Sequence, residues 1–282
     1  MSRAMACLLA GLVAAACWAE APKITVQAQG VPAGENLLAN PSFEDGAGDW
    51  PDAWGWAPNQ PTKVVRFWAN EGAIGARAAG VRNETSGASG YWTQTVPVEP
   101  GRDYLLTARV TIEDGKVLLR ALGIDAEGQN VRGYDRRAYA ERRASHIMAP
   151  VFWEPEWIVN MVREPWAPME LIFATRAEPA PARVTVMVGS YFTVGTLLID
   201  DVYLGPGTLT LTYLVEADGI ACVRVFDEAG TRLAQHPPTP GQVVAGELAE
   251  LPLGGHYRIE ATSRTGDVAE VWYPAPPEGA QG

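Results

Sequence analysis

Alternation with a period of two is the strongest constraint this chain places on its own fold. Tyr104, Leu106, Ala108, Val110 and Ile112 share one face of an extended segment, and Thr107, Arg109 and Thr111 share the other. Val184, Val186 and Val188 alternate with Arg183, Thr185 and Met187, and Tyr257, Ile259 and Ala261 with Arg258, Glu260 and Thr262. Each pattern is that of a strand in an antiparallel sheet with one buried face. Turn pairs lie between them, among them Pro100-Gly101, Asp114-Gly115, Glu127-Gly128 and Gly254-Gly255. With 29 Gly and 22 Pro in 282 residues, turn formers are too frequent for a helical protein. Short strands between frequent turns predict an all-β sandwich or jelly roll. The exception is an arginine-rich stretch, where Asp135–Met148 fits one or two turns of amphipathic helix.

The N-terminus reads as an address. Arg3 supplies a positive end, Ala4 to Ala16 form a short apolar run, and small residues follow, so residues 1–19 are expected to be a signal peptide cleaved after Ala19. The apolar run is too short for a permanent membrane anchor. The competing reading is a lipoprotein box at Ala14-Ala15-Ala16-Cys17, which would tether the protein to the cell envelope through Cys17. Either way the expected location is secreted or periplasmic. Removal of the signal leaves Cys222 alone in an apolar strand-like run, unable to form an internal disulfide. A net charge of −11 with no strongly basic domain argues against nucleic acid as a partner. With 47% hydrophobic residues the chain can bury real cores.

The natural division lies at Gly205-Pro206-Gly207. It separates a larger domain, 36–205, from a smaller one, 207–274, with a linker or strand at 20–35 and a Pro-rich tail at 275–282 expected to be disordered. Tryptophan use changes across the same point. Eight of the ten Trp fall between residues 50 and 166, and the smaller domain has only Trp272.

Both ends of the larger domain carry a motif. It opens on Asn36-Leu37-Leu38-Ala39-Asn40-Pro41-Ser42-Phe43-Glu44-Asp45-Gly46 and closes on Ile199-Asp200-Asp201-Val202-Tyr203-Leu204. The pairing resembles the carbohydrate-binding modules of families 4, 9, 16 and 22, and Gln94 to Tyr104 and Trp166 to Leu171 are similar to the family's intervening strands. The resemblance implies a galactose-binding-domain-like jelly roll of two antiparallel sheets with an aromatic-lined sugar site. It also implies a structural calcium where the first and last strands meet, held by Glu44 and by Asp200 or Asp201, with main-chain carbonyls near Asn40 and Ser42. Calcium takes six to eight oxygens, and carboxylates from both ends of a domain would let it staple them. Successive strand residues face opposite ways, so only one of Asp200 and Asp201 points at a given site, and the sequence does not choose. The smaller domain is similar to Ig-like and prealbumin-like β-sandwich modules, a generic likeness that implies a spacer or docking role.

Sugars present flat C–H faces against which a Trp ring can stack. Trp54 suits the core. Trp56, Trp68, Trp92, Trp153 and Trp157 are the candidate plates, although Trp92 shares its strand face with Gln94 and Val96, a pattern that also suits a core. Trp153 and Trp157 flank Glu154 and Glu156 in a Pro-broken loop. Arg132, Arg136, Arg137, Arg142 and Arg143 surround Tyr134 and Tyr139, which reads either as a solvated charged face or as a set of partners for an acidic sugar. The expected function is non-catalytic binding of a polysaccharide or glycan. The alternatives are an extracellular polysaccharide-active enzyme centred on Glu154 and Glu156, which lie too close together in sequence for an acid–nucleophile pair, and a structural or adhesive surface protein. His146, His236 and His256 have no metal-ligand spacing.

Overall fold

The computed structural model of the chain describes residues 21–142, 159–161, 165–176, 179–239 and 241–274. No helix occurs among them. In chain order the strands are β1 (Lys23–Pro32), β2 (Gly46–Ala47), β3 (Trp50–Pro51), β4 (Gly55–Pro58), β5 (Val64–Ala69), β6 (Ala78–Asn83), β7 (Ser89–Pro97), β8 (Asp103–Ile112), β9 (Gly115–Ile124) and β10 (Asn130–Arg142). They continue as β11 (Val159–Met161), β12 (Ala167–Ala174), β13 (Arg183–Tyr191), β14 (Gly195–Gly205), β15 (Gly207–Glu216), β16 (Ile220–Asp227), β17 (Arg232–His236), β18 (Val243–Pro252), β19 (Tyr257–Ser263) and β20 (Val268–Tyr273). Two compact units result, the larger from residues 28–211 with 248–255 and the smaller from 1–27, 212–247 and 256–282. Gly205-Pro206-Gly207 is the joint between β14 and β15; the larger unit runs past it to Leu211, and the smaller takes up the chain at Thr212.

The larger unit is a jelly-roll sandwich. One sheet has the order β11-β10-β9-β13-β7-β4 and the other β12-β8-β14-β6-β5. The strand pairs within both are antiparallel except β10 with β11. The alternation read from sequence supplies the core between them. Tyr104, Leu106, Ala108, Val110 and Ile112 face inward from β8, and Val184, Val186 and Val188 face inward from β13. Complete burial of such a Val or Ile contributes roughly 1.5–3 kcal/mol over leaving it exposed.

The opening and closing motifs are stitched together. Asn36 Nδ2 donates to Val202 O, Asn36 Oδ1 accepts from Leu204 N, Leu37 N donates to Leu204 O, and Val202 N donates to Pro41 O. Asn40 then folds the next turn, donating through Nδ2 to the carbonyls of Asp45 and Asp52 and accepting from Asp45 N. The asparagines recur because a short side chain with both donor and acceptor can satisfy main-chain groups that no strand ladder reaches.

Two local expectations change. Asp135–Arg142 belongs to strand β10, not to a helical turn; β10 pairs in register with β9 from Asp135↔Leu122 to Arg142↔Gly115, and that ladder overrides local helical periodicity. The closing strand breaks its alternation between Asp200 and Tyr203, where its register to β8 shifts. Asp201 takes a left-handed conformation there (φ 49°), so the chain spends one extra residue in a bulge. Val202 consequently joins Leu197 and Ile199 in the core, where strict alternation would have put it on the face of Leu198.

In the smaller unit β17-β16-β19-β20 form an antiparallel sheet. Tyr257, Ile259 and Ala261 are buried as their spacing predicts, with Val223 and Val225 beside them. Asp227 to Gly230 make the β16–β17 turn, with Gly230 N donating to Asp227 O.

Candidate functional site

Most of the described tryptophans of the larger unit close the side of the sandwich where edge strands β4 and β5 lie. Trp92 is completely buried, which removes it from the candidate sugar plates. Its register partners are Val188, an inward-facing core residue, and Trp56, so its indole fills the space between the sheets. Its Nε1 donates to Gly80 O. Trp56 and Trp50 pack on it at 5.4 and 5.6 Å between ring centroids. Trp56 also lies tight over Gly90, where an added Cβ would meet the indole at 2.6 Å. Trp54 is core, as expected, and its Nε1 donates to Asn40 O. Trp68 is half-buried, with Nε1 donating to Phe43 O and the Arg77 guanidinium 4.4 Å above its ring. Arg66 lies 4.1 Å over Trp50, and its buried Nε has no hydrogen-bond partner among the described residues, a cost the cation–π contact partly offsets. Trp153 and Trp157, with Glu154 and Glu156, lie outside the described residues.

The carboxylates named by the two end motifs grip one loop. Glu44 Oε1 accepts from Ala76 N and Arg77 N, and Asp200 Oδ2 accepts from Ile74 N. Asp200 is completely buried, whereas Asp201 turns outward to Arg109 at 3.1 Å. Burial pushes the Asp200 carboxyl above the usual Asp range against the opposing pull of the main-chain N–H groups. Among the described residues no three His, Cys, Asp or Glu side chains converge on a metal-sized point. A calcium site needs fewer carboxylates than that, because carbonyl oxygens serve as ligands. Oxygens do converge at Gly72: a Cβ placed there would meet Arg77 O at 2.4 Å, Asp200 Oδ2 at 2.9 Å and Ile74 O at 3.1 Å. Carboxylate and carbonyl oxygens are the donor type calcium takes, and three of the six to eight it needs come together beside Gly72. Asn40 O does not join them, since it already accepts from Trp54 Nε1 and Phe43 N.

The more suggestive surface is the face of the six-stranded sheet turned away from the core. Cross-strand register places Tyr139, Leu118, Gly189 and Tyr91 in one row, and Arg137, Arg120, Met187 and Thr93 in the next. Tyr91, Leu118 and Tyr139 form an apolar cluster separate from the main core, with Met187 and Tyr191 packed against it at partial exposure. Tyr139 and Tyr191 are 5.0 Å apart between centroids, and the exposed Phe192 meets Tyr191 edge-on at 4.6 Å. Tyr91 and Tyr139 are thus a buried floor at 7% and 1% exposure, and Tyr191 and Met187 are its half-open rim. Beside this floor Asp135 is held by two guanidiniums. Arg120 Nε and Nη2 donate to its two oxygens at 2.7 Å each; Arg137 Nε donates at 3.0 Å and its Nη2 completes a second fork. The three side chains are 21–27% exposed. Burial alone would raise the Asp135 carboxyl, but the hydrogen bonds and charges of Arg120 and Arg137 outweigh it and hold it below the usual range. Burial likewise pushes the Tyr91 and Tyr139 hydroxyls up, so both stay neutral at physiological pH.

Of this patch the sequence reading singled out only Arg137 and Tyr139. Asp135 was legible in principle, because Asp135, Arg137 and Tyr139 alternate with Arg136, Ala138 and Ala140; Tyr91, Arg120 and Tyr191 join them only through strand register. The helical reading of that stretch hid the alternation. Glu170 lies on the outward face of the other sheet, opposite Thr107, where it accepts from Gly30 N. It is therefore remote from the tyrosine–arginine patch.

No protein-family model and no curated protein sequence matches the chain. Solved structures are similar to it. The enzymatically active domain of tailspike protein 4 of bacteriophage CBA120 shares 18% identity at a TM-score of 0.44 over 60% of this chain and 21% of that one, so the match spans about a fifth of that relative's length. A family 61 carbohydrate-binding module solved with β-1,4-galactotriose shares 19% identity at a TM-score of 0.39, over 61% of this chain and 99% of the module. A xylan-binding domain of family 22 from Paenibacillus barcinonensis shares 13% at 0.37, over 61% and 94%. Carbohydrate-binding modules of families 4, 11, 16, 22 and 61 are thus among the solved structures that the chain is similar to.

Proposed function

We propose that this is a non-catalytic carbohydrate-binding protein whose glycan lies across the outward face of the six-stranded sheet. One observation carries the reading. On a sheet face that takes no part in the core, aromatic rings adjoin a paired-arginine cluster at partial exposure. Outside the core such a set suits a sugar ring, which needs an apolar surface bordered by fixed polar groups. The grip on Asp135 uses two of the five N–H donors on each guanidinium, and Arg120 Nη1 donates to Met187 Sδ at 3.5 Å, so the arginines are fixed at the border of the aromatic floor. The stacking surface is then Tyr191 with Met187 rather than the tryptophans named from sequence. Pull-down on insoluble polysaccharides and a glycan array test this. Tyr191→Ala is expected to weaken retention by roughly tenfold and Trp56→Ala to leave it nearly unchanged. Retention that depends on Trp56 and ignores Tyr191 would contradict the reading.

Calcium is proposed as a structural ion. Asp200 and the carbonyls of Ile74 and Arg77 would hold it, with Glu44 on the same loop beside Gly75, and its charge would offset the burial of Asp200. Calcium should then raise the melting temperature and a chelator lower it, with the difference lost in Asp200→Asn and kept in Asp201→Asn. A melting temperature indifferent to both additions would rule the ion out. Export through residues 1–19 belongs to the same proposal, and N-terminal sequencing of the mature protein, expected to start at Glu20, checks it.

A further inference from the structure

Resting on the glycan-binding reading, we propose that the sugar bound on this face carries an apolar substituent, the methyl of a 6-deoxyhexose or of an O-acetyl group, and that Phe192 recognises it. At 47% exposure Phe192 is the most exposed Phe, Tyr or Trp among the described residues. Its backbone is left-handed (φ 52°), a conformation that suits Gly or Asn and that a bulky side chain rarely adopts. A turn that only reversed the chain from β13 to β14 would be more stable with Gly or Asn at this position. The phenyl ring is thus held out in water at a cost to the backbone, and such strain persists where the surroundings enforce it. They do so here. Phe192 N donates to Ser89 Oγ at 3.1 Å, Gly87 N donates to Phe192 O at 3.3 Å, and Lys116 N donates to Thr193 Oγ1 at 2.7 Å. The ring is therefore in place before a ligand arrives.

Phe192 turns the stacking surface into a corner. Its plane stands at 79° to that of Tyr191, with 4.6 Å between centroids. A pyranose lying against Tyr191 and Met187 brings its rim toward this phenyl ring. An ordinary hexose carries hydroxyl or hydroxymethyl oxygens on that rim. A hydroxyl set against a phenyl ring gives up water and gains no full hydrogen bond. Ser89 and Thr193, the hydroxyl residues that hold the turn, already accept main-chain N–H groups. A methyl group at the same place loses no polar partner and takes apolar surface, its own and that of Phe192, out of water. Tyr191 thus serves any sugar with a flat C–H face, and Phe192 selects among them.

The test reads the glycan array as matched pairs that differ at one position: a 6-deoxyhexose against the parent hexose, and an O-acetylated chain against its deacetylated form. Titration calorimetry of the full chain then measures the best-retained pair. The expected result is that the methyl-bearing member binds about tenfold tighter, the size of discrimination that one methyl and one unpartnered hydroxyl allow. Preference within the first kind of pair assigns a deoxyhexose, and within the second an acetyl ester. Phe192→Asn should bring the two members to nearly equal affinity; asparagine accepts the left-handed backbone, so the fold is expected to stand. Phe192→Leu, apolar but smaller, should keep part of the preference. Equal binding within every pair overturns the apolar substituent and leaves glycan binding standing. A preference that survives Phe192→Asn overturns the role of Phe192. Retention of no glycan on the array overturns both proposals.

Discussion

Trp92 shows how far a single residue type can mislead. Ten tryptophans in a β-rich chain invite a reading as sugar plates. Yet Trp54, Trp68 and Trp92 each give their indole N–H to a main-chain carbonyl, which is how a sandwich uses a bulky ring with one polar atom. Trp92→Ala should destabilise the larger unit by about 3–5 kcal/mol, because the surrounding valines cannot close the cavity. Chemical denaturation of the isolated variant checks it, and a loss under about 1 kcal/mol would mean that the indole is not a core element. Asn36→Ala should cost about 1–3 kcal/mol, since it strips the partners of Val202 O and Leu204 N together. These two residues bracket what the sequence could convey. The spacing Asn36…Asn40…Phe43 announces a fixed turn, whereas the orientation of Trp92 depends on Val188, nearly a hundred positions away.

The strands divide in the same way. Those with clean alternation, β8, β13 and β19, bury the faces that their spacing predicts. β10 and β14 depart from it for different reasons. The bulge at Asp201 needs a left-handed residue that no local pattern signals, and it decides that Asp200 is buried while Asp201 faces Arg109. In β10 the local charge pattern suits a helix and the ladder to β9 prevails. The ion pairs that β10 gains carry a pH signature. Asp135 has its carboxyl held below the ordinary value of 3.8, so its contribution to stability is present above that value and is lost as pH falls through the lowered one. The difference in melting temperature between wild type and Asp135→Asn should therefore be level above about pH 5 and shrink below about pH 4. A difference that stays constant down to pH 2 would show that Arg120 and Arg137 do not hold the charged form.

For the molecule as a whole, two facing sheets locked by the Asn36 and Val202–Leu204 stitches leave one sheet face free to carry a site. Fold class was legible in the sequence because it rests on spacing, and the meeting of the two end motifs was implied by the resemblance they carry. The tyrosine–arginine face was not, since it draws on β7, β9, β10 and β13 and exists only once their register is set. A crystal structure of the protein soaked with the best-retained oligosaccharide tests the central claim most directly. The account predicts a sugar ring against Tyr191 and Met187, with its oxygens within hydrogen-bonding distance of Arg120 or Arg137. A ring seated instead on the outward face of the five-stranded sheet, or along the tryptophan edge at Trp56 and Trp68, would contradict it.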